Sequence, residues 1–187
     1  MEIATKEPFS PIKQDVKNGQ LREFTYGNIP FNYGAIPQTW EDPNEVDGEL
    51  HLAGDNDPID VVELSPGALT EGGIYEVKPL GILALIDEGE VDWKVLAVNV
   101  RNPLARDIDD NVDIENVLPG MENTIREWFR KYKTTDGKPM NTFGIEERLL
   151  NKAKAYSVIE HTHNSWRKLV EKQSDKGKLW IPEVQKQ

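Results

Sequence analysis

Residues 55–61 read DNDPIDV, which places three carboxylates within six positions around a proline. The ring of Pro58 disfavours helical backbone at Asp57, so Asp55 and Asp57 are expected to point to the same side, with Asp60 one short bend further on. Three clustered carboxylates repel one another at neutral pH unless a cation lies between them. The stretch therefore predicts a site for divalent metal.

The predicted site offers only oxygen ligands, which select hard ions such as Mg²⁺, Mn²⁺ or Ca²⁺ over Zn²⁺. The chain contains no cysteine and three histidines. His161 and His163 are two positions apart on a predicted helix, whereas two ligands on one helix face need the i, i+4 spacing. We interpret both histidines as surface or packing residues.

The composition indicates a single acidic domain over residues 1–187. The formal net charge is −11, and 37% of the residues are apolar. Such a charge argues against binding to nucleic acid or anionic lipid, and the longest strongly apolar stretch, residues 80–86, is too short to cross a bilayer. The absence of cysteine and of a recognisable targeting segment predicts a cytoplasmic protein, with an organellar location left open.

Short apolar runs separated by glycine and proline fill the first hundred residues, and helical patterns fill the last seventy, which predicts an α+β fold with a barrel or a curved sheet. The predicted strands are 21–25, 61–64, 74–86 with a bend at Pro79 or Gly81, and 93–100. The predicted helices are 123–132 and 145–173, and the predicted loops are 101–122 and 134–144.

A second pair of carboxylates flanks the predicted hairpin loop at residues 87–90. Asp87 ends one strand, Asp92 begins the next, and Lys94 shares a strand face with Asp92 through the two-residue period. Taken alone, the segment reads as an acidic turn in solvent. Beside residues 55–61, it predicts five carboxylates and an ammonium group at one mouth, where metal and lysine together would bind an anion.

Four blocks in order give the chain a resemblance to the family I soluble inorganic pyrophosphatases of the eukaryotic type. DNDPIDV fits that family's D-x-D-P-x-D-V signature, and the other blocks are NYGAIPQTWEDP at 32–43, LALIDEGEVDWKV at 83–95 and WFRKYKTTDGKP at 128–139. The resemblance covers essentially the whole chain and is looser after about Thr142. It implies an OB-like Greek-key β-barrel flanked by helices, a homodimer, and hydrolysis of pyrophosphate, bound as its magnesium complex, to two phosphates.

The resemblance also implies which carboxylates hold the metal ions. Asp55, Asp60 and Asp92 would bind the activating ion, and Asp60 would also reach a second ion. Asp87 and Asp92 would hold an ion that arrives with the substrate, and Glu2 would contribute to a further one through water. Mg²⁺ is the expected cofactor, with several ions per site, and Mn²⁺ is the alternative.

The remaining roles that the resemblance implies are those of the general base and of the phosphate-binding residues. Asp57 corresponds to the base that takes a proton from the attacking water. The phosphate-binding residues would be Arg22, Tyr33, Lys94, Tyr132 and Lys133. For each of these five considered alone, a surface or packing role is the commoner one, and Tyr132 lies on the apolar face of its predicted helix.

The family pattern continues before Glu2 with a sheet strand, another acidic residue and a phosphate-binding lysine. We therefore expect a chain truncated at its start and a weakened or inactive hydrolase. Comparable turnover by a version with that segment restored would contradict this expectation.

Three other functions compete with the hydrolase. An EF-hand loop starting at Asp55 would need glycine where Asp60 stands and glutamate where Pro66 stands. A phosphatase with an aspartate nucleophile would need a hydrophobic strand before the motif, and residues 50–54 read LHLAG. The third alternative, a pyrophosphatase-like protein that binds metal and phosphate without turnover, stays open.

Overall fold

The computed structural model describes residues 1–182. Its strands are β1 (Glu2–Ile3), β2 (Ile12–Lys13), β3 (Val16–Lys17), β4 (Gln20–Leu21), β5 (Asn32–Ala35), β6 (Asp60–Glu63), β7 (Val77–Asp87), β8 (Glu90–Asn99), β9 (Thr142–Phe143) and β10 (Leu150–Asn151). Its α-helices are α1 (Asn111–Val117), α2 (Met121–Lys131) and α3 (Lys152–Val170), and short 3-10 helices cover Pro103–Arg106, Thr134–Asp136 and Ile145–Glu147.

One six-stranded sheet organises the molecule, in the order β10-β7-β8-β6-β5, with β9 also pairing with β7. Strands β6 and β8 run parallel, and the β5–β6 and β7–β8 pairs are antiparallel. The α+β class is therefore confirmed. Among the described residues the sheet is open, because β5 and β10 lie at opposite ends of the strand order, so these strands do not close the expected barrel.

The two faces of β8 carry different side chains, because successive residues of a strand alternate between faces. Leu96 and Val98 point into a core that also contains Ile125 and Phe129 of α2. The opposite face packs against α3 through a second core cluster that includes Val95. Asp92 and Lys94 have the parity of Leu96, so they stand on the face covered by α2, towards the start of the strand.

Most long elements agree with the sequence pattern. The β7–β8 hairpin turns where it was predicted, because Asp87 pairs directly with Glu90. The pairing register shifts between Pro79 and Gly81, which confirms the predicted bend. The helix predicted at 123–132 is α2, and the strand predicted at 61–64 is β6 within one residue.

Several predictions of local structure were wrong. The loop expected at 134–144 contains a 3-10 helix at its start and β9 near its end. Of the strand expected at 21–25 only Leu21 pairs, as the end of β4, and its partner strand is the exposed β3. The loop expected at 101–122 contains α1, whose first turn has a capping box between Asp110 and Asp113. The long helix expected from residue 145 begins only at Lys152, since residues 145–147 have φ values of 50°, 54° and 60°, which end a right-handed helix.

Candidate active site

The loop that carries Asp55 lies beside the start of β8. Ala53 accepts a hydrogen bond of 2.8 Å from the backbone N–H of Val91, and Gly54 forms a parallel bridge with the same residue. A Cβ on Gly54 would lie 2.5 Å from the carbonyl carbon of Glu41, so only glycine permits this approach. The DNDPIDV stretch is thereby held next to the strand that carries Asp92.

The loop itself turns at Asn56, which has a φ of 72°. Asparagine tolerates the left-handed region, and the Asn56 side chain accepts a hydrogen bond of 3.0 Å from the indole N–H of Trp40. The backbone N–H of Asp57 donates to Oδ1 of Asp55 at 3.0 Å. The extended run expected from Asp55 to Asp57 was therefore wrong at Asn56, and a turn sets the direction of both carboxylates.

Lys94 is the buried centre of the site, with 1% of its surface exposed. Its ammonium donates to Asp60, to Asp92 and, at 3.0 Å, to the hydroxyl oxygen of Tyr33. Tyr33 in turn donates to Asp60. The pairing register accounts for this cluster, because Asp60 lies opposite Lys94 in the parallel β6–β8 pair.

A second group forms where the β7–β8 hairpin meets the end of α2. Asp87 accepts hydrogen bonds from the Tyr132 hydroxyl at 3.1 Å and from the Lys133 ammonium at 2.7 Å. Leu85, two residues before Asp87, pairs with Asp92, so the two aspartates share a sheet face. Both groups therefore lie at the same end of the sheet, as the sequence predicted.

Two predicted residues lie on separate short hairpins, and of these Glu2 is close enough to Asp57 for its charge to raise the pKa of that aspartate. Arg22 pairs with Asp15 at 3.0 Å in the β3–β4 hairpin, and Glu2 lies in β1. Burial raises the pKa of Glu2, and the nearby Arg22 charge works in the opposite direction. Both residues belong to short, exposed hairpins, and the structure places neither in direct hydrogen-bond contact with the central lysine.

His161 and His163 contact residues other than the site aspartates. Nδ1 of His163 is 2.8 Å from the carbonyl oxygen of Gln38, and its ring stacks on Trp166. Nε2 of His161 is 3.7 Å from a carboxylate oxygen of Glu45. These contacts agree with the predicted surface and packing roles.

Sequence reasoning missed Glu41 as a site residue. Its carboxylate oxygen and those of Asp55 and Asp92 lie within 4.8 Å of one another. Glu41 belongs to the block 32–43 that carried the resemblance, but no spacing rule links it to the aspartates. Its position at the end of that block, directly after a tryptophan, was the only signal available.

Desolvation sets the electrostatics of the acidic groups. It raises the pKa of Asp55 to about 7 and that of Asp57 to about 6, with the charges of Asp60 and Glu2 adding to the rise at Asp57. Asp57 nevertheless keeps contact with solvent. Burial also raises the pKa of Asp92 well above its usual range.

The pKa of Glu41 is likewise well above its usual range, first because the side chain is buried and then because Asp55 and Asp92 are close. For Lys94, burial alone would lower the pKa, but the charges of Asp60 and Asp92 reverse that effect and raise it. The region therefore holds more carboxyl groups than Lys94 alone can keep ionised, and their raised pKa values express that excess.

These residues suit a hard divalent cation. The donors are carboxylate oxygens, the kind of ligand that Mg²⁺ prefers, and one buried oxygen of Glu41 has no hydrogen-bond partner among residues 1–182. Two oxygens on opposite sides of Mg²⁺ lie ~4.2 Å apart, given Mg–O distances of about 2.0–2.1 Å. The 4.8 Å limit on the spacing of the three carboxylate oxygens is compatible with such an ion after a small contraction.

Comparison with known proteins identifies the family. The family model described as "Inorganic pyrophosphatase" matches residues 1–167. The chain is 52% identical over 169 residues to the soluble inorganic pyrophosphatase 1, chloroplastic, of Chlamydomonas reinhardtii, covering 90% of this chain and 60% of that protein. The chain thus spans about three fifths of the length of this curated relative.

Two solved structures are similar throughout the described fold. The inorganic pyrophosphatase of Schistosoma japonicum has a TM-score of 0.91 and 44% identity, over 96% of this chain and 65% of that one. A truncated vacuolar soluble pyrophosphatase of Trypanosoma cruzi, solved in complex with PPi, has a TM-score of 0.88 and 43% identity, over 91% of this chain and 64% of that one. The chain belongs to the inorganic pyrophosphatase family.

Proposed function

We propose that this chain carries the active site of a metal-dependent inorganic pyrophosphatase, which hydrolyses pyrophosphate to two phosphates. The observation that carries the proposal is the mouth where Asp60 and Asp92 share a buried lysine while Asp55 lies beside them. Acidic oxygens in excess of the local cations suit metal, and the lysine and tyrosine donors suit phosphate. The Trypanosoma cruzi relative, solved with PPi, supports the choice of substrate.

Five carboxylates are the proposed metal ligands. Asp55, Asp60 and Asp92 would hold the activating Mg²⁺, Asp87 and Asp92 would hold an ion that accompanies the substrate, and Glu2 would reach a further ion through water. Bound Mg²⁺ lowers the pKa of a coordinated water and neutralises phosphate oxygens. Mn²⁺ has the same preference for oxygen ligands and is the proposed substitute.

Asp57 is the proposed general base. A general base is most effective when its pKa lies near the working pH, and the surroundings of Asp57 raise its pKa to about 6. Asp55 and Asp60 accept hydrogen bonds from protein groups, whereas Asp57 retains contact with solvent. Its carboxylate is therefore free to take the proton of a water that attacks phosphorus as the bridging P–O bond breaks.

Four of the five proposed phosphate-binding groups contact the acidic residues directly, and Arg22 lies on the β3–β4 hairpin. Lys94 and Lys133 supply ammonium charges, Tyr33 and Tyr132 supply hydroxyl donors, and Arg22 supplies a guanidinium that binds phosphate through two N–H groups. Lys133 and Tyr132 both donate hydrogen bonds to Asp87. They are therefore positioned beside the carboxylate that would hold the substrate's metal. Donors fixed in this way stabilise the charge that develops on the departing phosphate.

Several wider features of the protein are proposals of the same kind. They are a single domain over residues 1–187, an OB-like Greek-key barrel in the whole protein, and a homodimer. The barrel and the homodimer are proposed from the resemblance to the family to which the chain belongs. In the part of the chain that the structure describes, no helix combines the length and apolar character needed to cross a membrane. The composition suits a cytoplasmic enzyme, although the Chlamydomonas relative is named chloroplastic.

Phosphate release from magnesium pyrophosphate by the purified chain, beside Asp57→Asn, tests the proposed function. Asn keeps the shape of Asp57 but cannot take the proton, so its turnover should fall about a hundredfold or more. Asp107→Asn is the matched control, because Asp107 is exposed and distant in sequence from the site elements. Metal binding without phosphate release by the unmodified chain would favour the alternative of a metal- and phosphate-binding protein without turnover.

A further inference from the structure

Glu41 presents a buried oxygen that the protein leaves without a partner. The residue is 4% exposed, and its Oε1 accepts a hydrogen bond of 3.0 Å from the backbone N–H of Trp93. Its Oε2 has no hydrogen-bond partner among residues 1–182. A buried carboxylate oxygen in this condition is costly unless a cation or another donor meets it. The orphan oxygen therefore points to a ligand beside Asp55 and Asp92.

Lys94, the buried lysine at the centre of the site, does not supply that cation. An ammonium group has three N–H donors, and those of Lys94 go to Asp60, Asp92 and Tyr33. Glu41 receives no hydrogen bond from it. The position beside Glu41 and Asp55 is therefore left to a cation from solution.

The backbone of Glu41 is fixed to the aspartate loop. Its N–H donates to the carbonyl oxygen of Asp57 at 3.0 Å, and its carbonyl oxygen accepts from the N–H of Asn56 at 3.0 Å. Its Oε1 is fixed to β8 at Trp93, the residue after Asp92. Glu41 thus joins the two segments that carry the candidate ligands, and its Oε2 is held in place before any ion arrives.

We propose that Glu41 is an inner ligand of the divalent metal ion that Asp55 and Asp92 hold, with Oε2 as the coordinating atom. The inference rests on the proposed function, because it adds a residue to the same metal centre. Three oxygens within 4.8 Å of one another can surround one ion. Neither a sequence spacing nor the family resemblance assigns this role to Glu41.

The first test measures Mn²⁺ binding by electron paramagnetic resonance in wild type and Glu41→Gln. The amide keeps an oxygen for the Trp93 N–H but replaces the metal ligand by NH₂. We expect affinity at the tightest site to fall by at least about tenfold to hundredfold, because losing even an outer group that only orients a metal ligand typically costs that much. Glu90→Gln removes the same charge from an exposed position on the hairpin and should bind as wild type does.

Crystals of the unmodified protein grown with Mn²⁺ provide a second measurement that does not depend on a variant folding. The anomalous peak of the ion should lie at a direct bonding distance from a Glu41 oxygen. A peak that reaches Glu41 only through water, or equal affinity in wild type and Glu41→Gln, would overturn the inference while leaving the hydrolase intact. Absence of Mn²⁺ and Mg²⁺ binding by wild type would overturn both the inference and the proposed metal dependence.

Discussion

The ammonium of Lys94 donates a hydrogen bond of 3.0 Å to the hydroxyl oxygen of Tyr33. Asp60 contacts both groups, so a lysine, a tyrosine and an aspartate from β8, β5 and β6 form one network. Lys94 is buried at the centre of this network, and a buried charge of this kind is stable only while it keeps its partners. The contact therefore ties the stability of the sheet to the residues that we propose for phosphate binding.

Replacing Lys94 by methionine should destabilise the protein as well as remove phosphate binding. Asp92 would keep its buried position without its cation, and breaking a buried ion pair on one side costs about 3–5 kcal/mol. Urea unfolding of metal-free protein measures this loss. The exposed Lys17→Met in β3 is the control, and equal stability of the two variants would contradict the role of Lys94.

Replacing Tyr132 by phenylalanine should impair turnover without unfolding the protein. The ring stacks on Trp128 with centroids 4.9 Å apart, and phenylalanine keeps that contact. The hydroxyl that the variant lacks donates a hydrogen bond to the Asp87 carboxylate. A hydrogen bond to a charged group is worth about 1.5–3 kcal/mol. Steady-state kinetics should show kcat/KM lowered roughly tenfold to hundredfold. Unchanged kinetics at unchanged melting temperature would count against the proposed role.

Replacing Gly54 by alanine should disturb the metal site through the backbone. The new Cβ would lie 2.5 Å from the Glu41 carbonyl carbon, so the aspartate loop would have to shift. We expect a loss of about 1–3 kcal/mol of stability together with weaker Mn²⁺ binding. Gly48→Ala is the matched control, since no heavy atom lies within 4 Å of its added Cβ. Equal Mn²⁺ affinity in the two variants would show that the close approach of Gly54 is not needed.

The stability of metal-free protein should depend on pH through Asp55. Its pKa in the folded protein is about 7, against about 3.9 for an unfolded chain. Between these values the folded state binds more protons, so the contribution of Asp55 to the free energy of unfolding falls as pH rises. Above about pH 7 no further stability is lost through Asp55. Bound Mg²⁺ should offset the loss, because it binds the ionised carboxylate.

Urea unfolding in EDTA at about pH 5 and about pH 8 measures this dependence. Asp55→Asn cannot titrate, so wild type should lose stability relative to Asp55→Asn across this interval. Asp107→Asn should follow wild type. Parallel pH profiles for wild type and Asp55→Asn would contradict the raised pKa of the folded state.

The sequence predicted the parts of this molecule that local periodicity determines. The alternation of Asp92 and Lys94 with Trp93, and the turn between Asp87 and Glu90, follow from the strand period and from turn residues. That information was sufficient to bring the acidic groups to one end of the sheet. The roles of the individual residues came from the family resemblance and stay predictions.

What the sequence did not predict depends on contacts between distant segments. Residues 145–147 have a helical pattern but adopt left-handed backbone, while Leu150 and Asn151, which follow them, pair with β7. Helix α1 had a local signal in its capping box, which was overlooked. Glu41 had no capping or spacing signal of this kind, because its position at the site depends on the hydrogen bond to Trp93, 52 positions away.

The central claim is that this chain hydrolyses pyrophosphate with bound divalent metal. Phosphate release from pyrophosphate, followed while Mg²⁺ is added to metal-free protein and then removed with EDTA, tests that claim most directly. We predict two phosphates per pyrophosphate, an activity that rises as the metal site fills and that disappears with EDTA. No release while Mg²⁺ is measurably bound, or release that persists in EDTA, would contradict it.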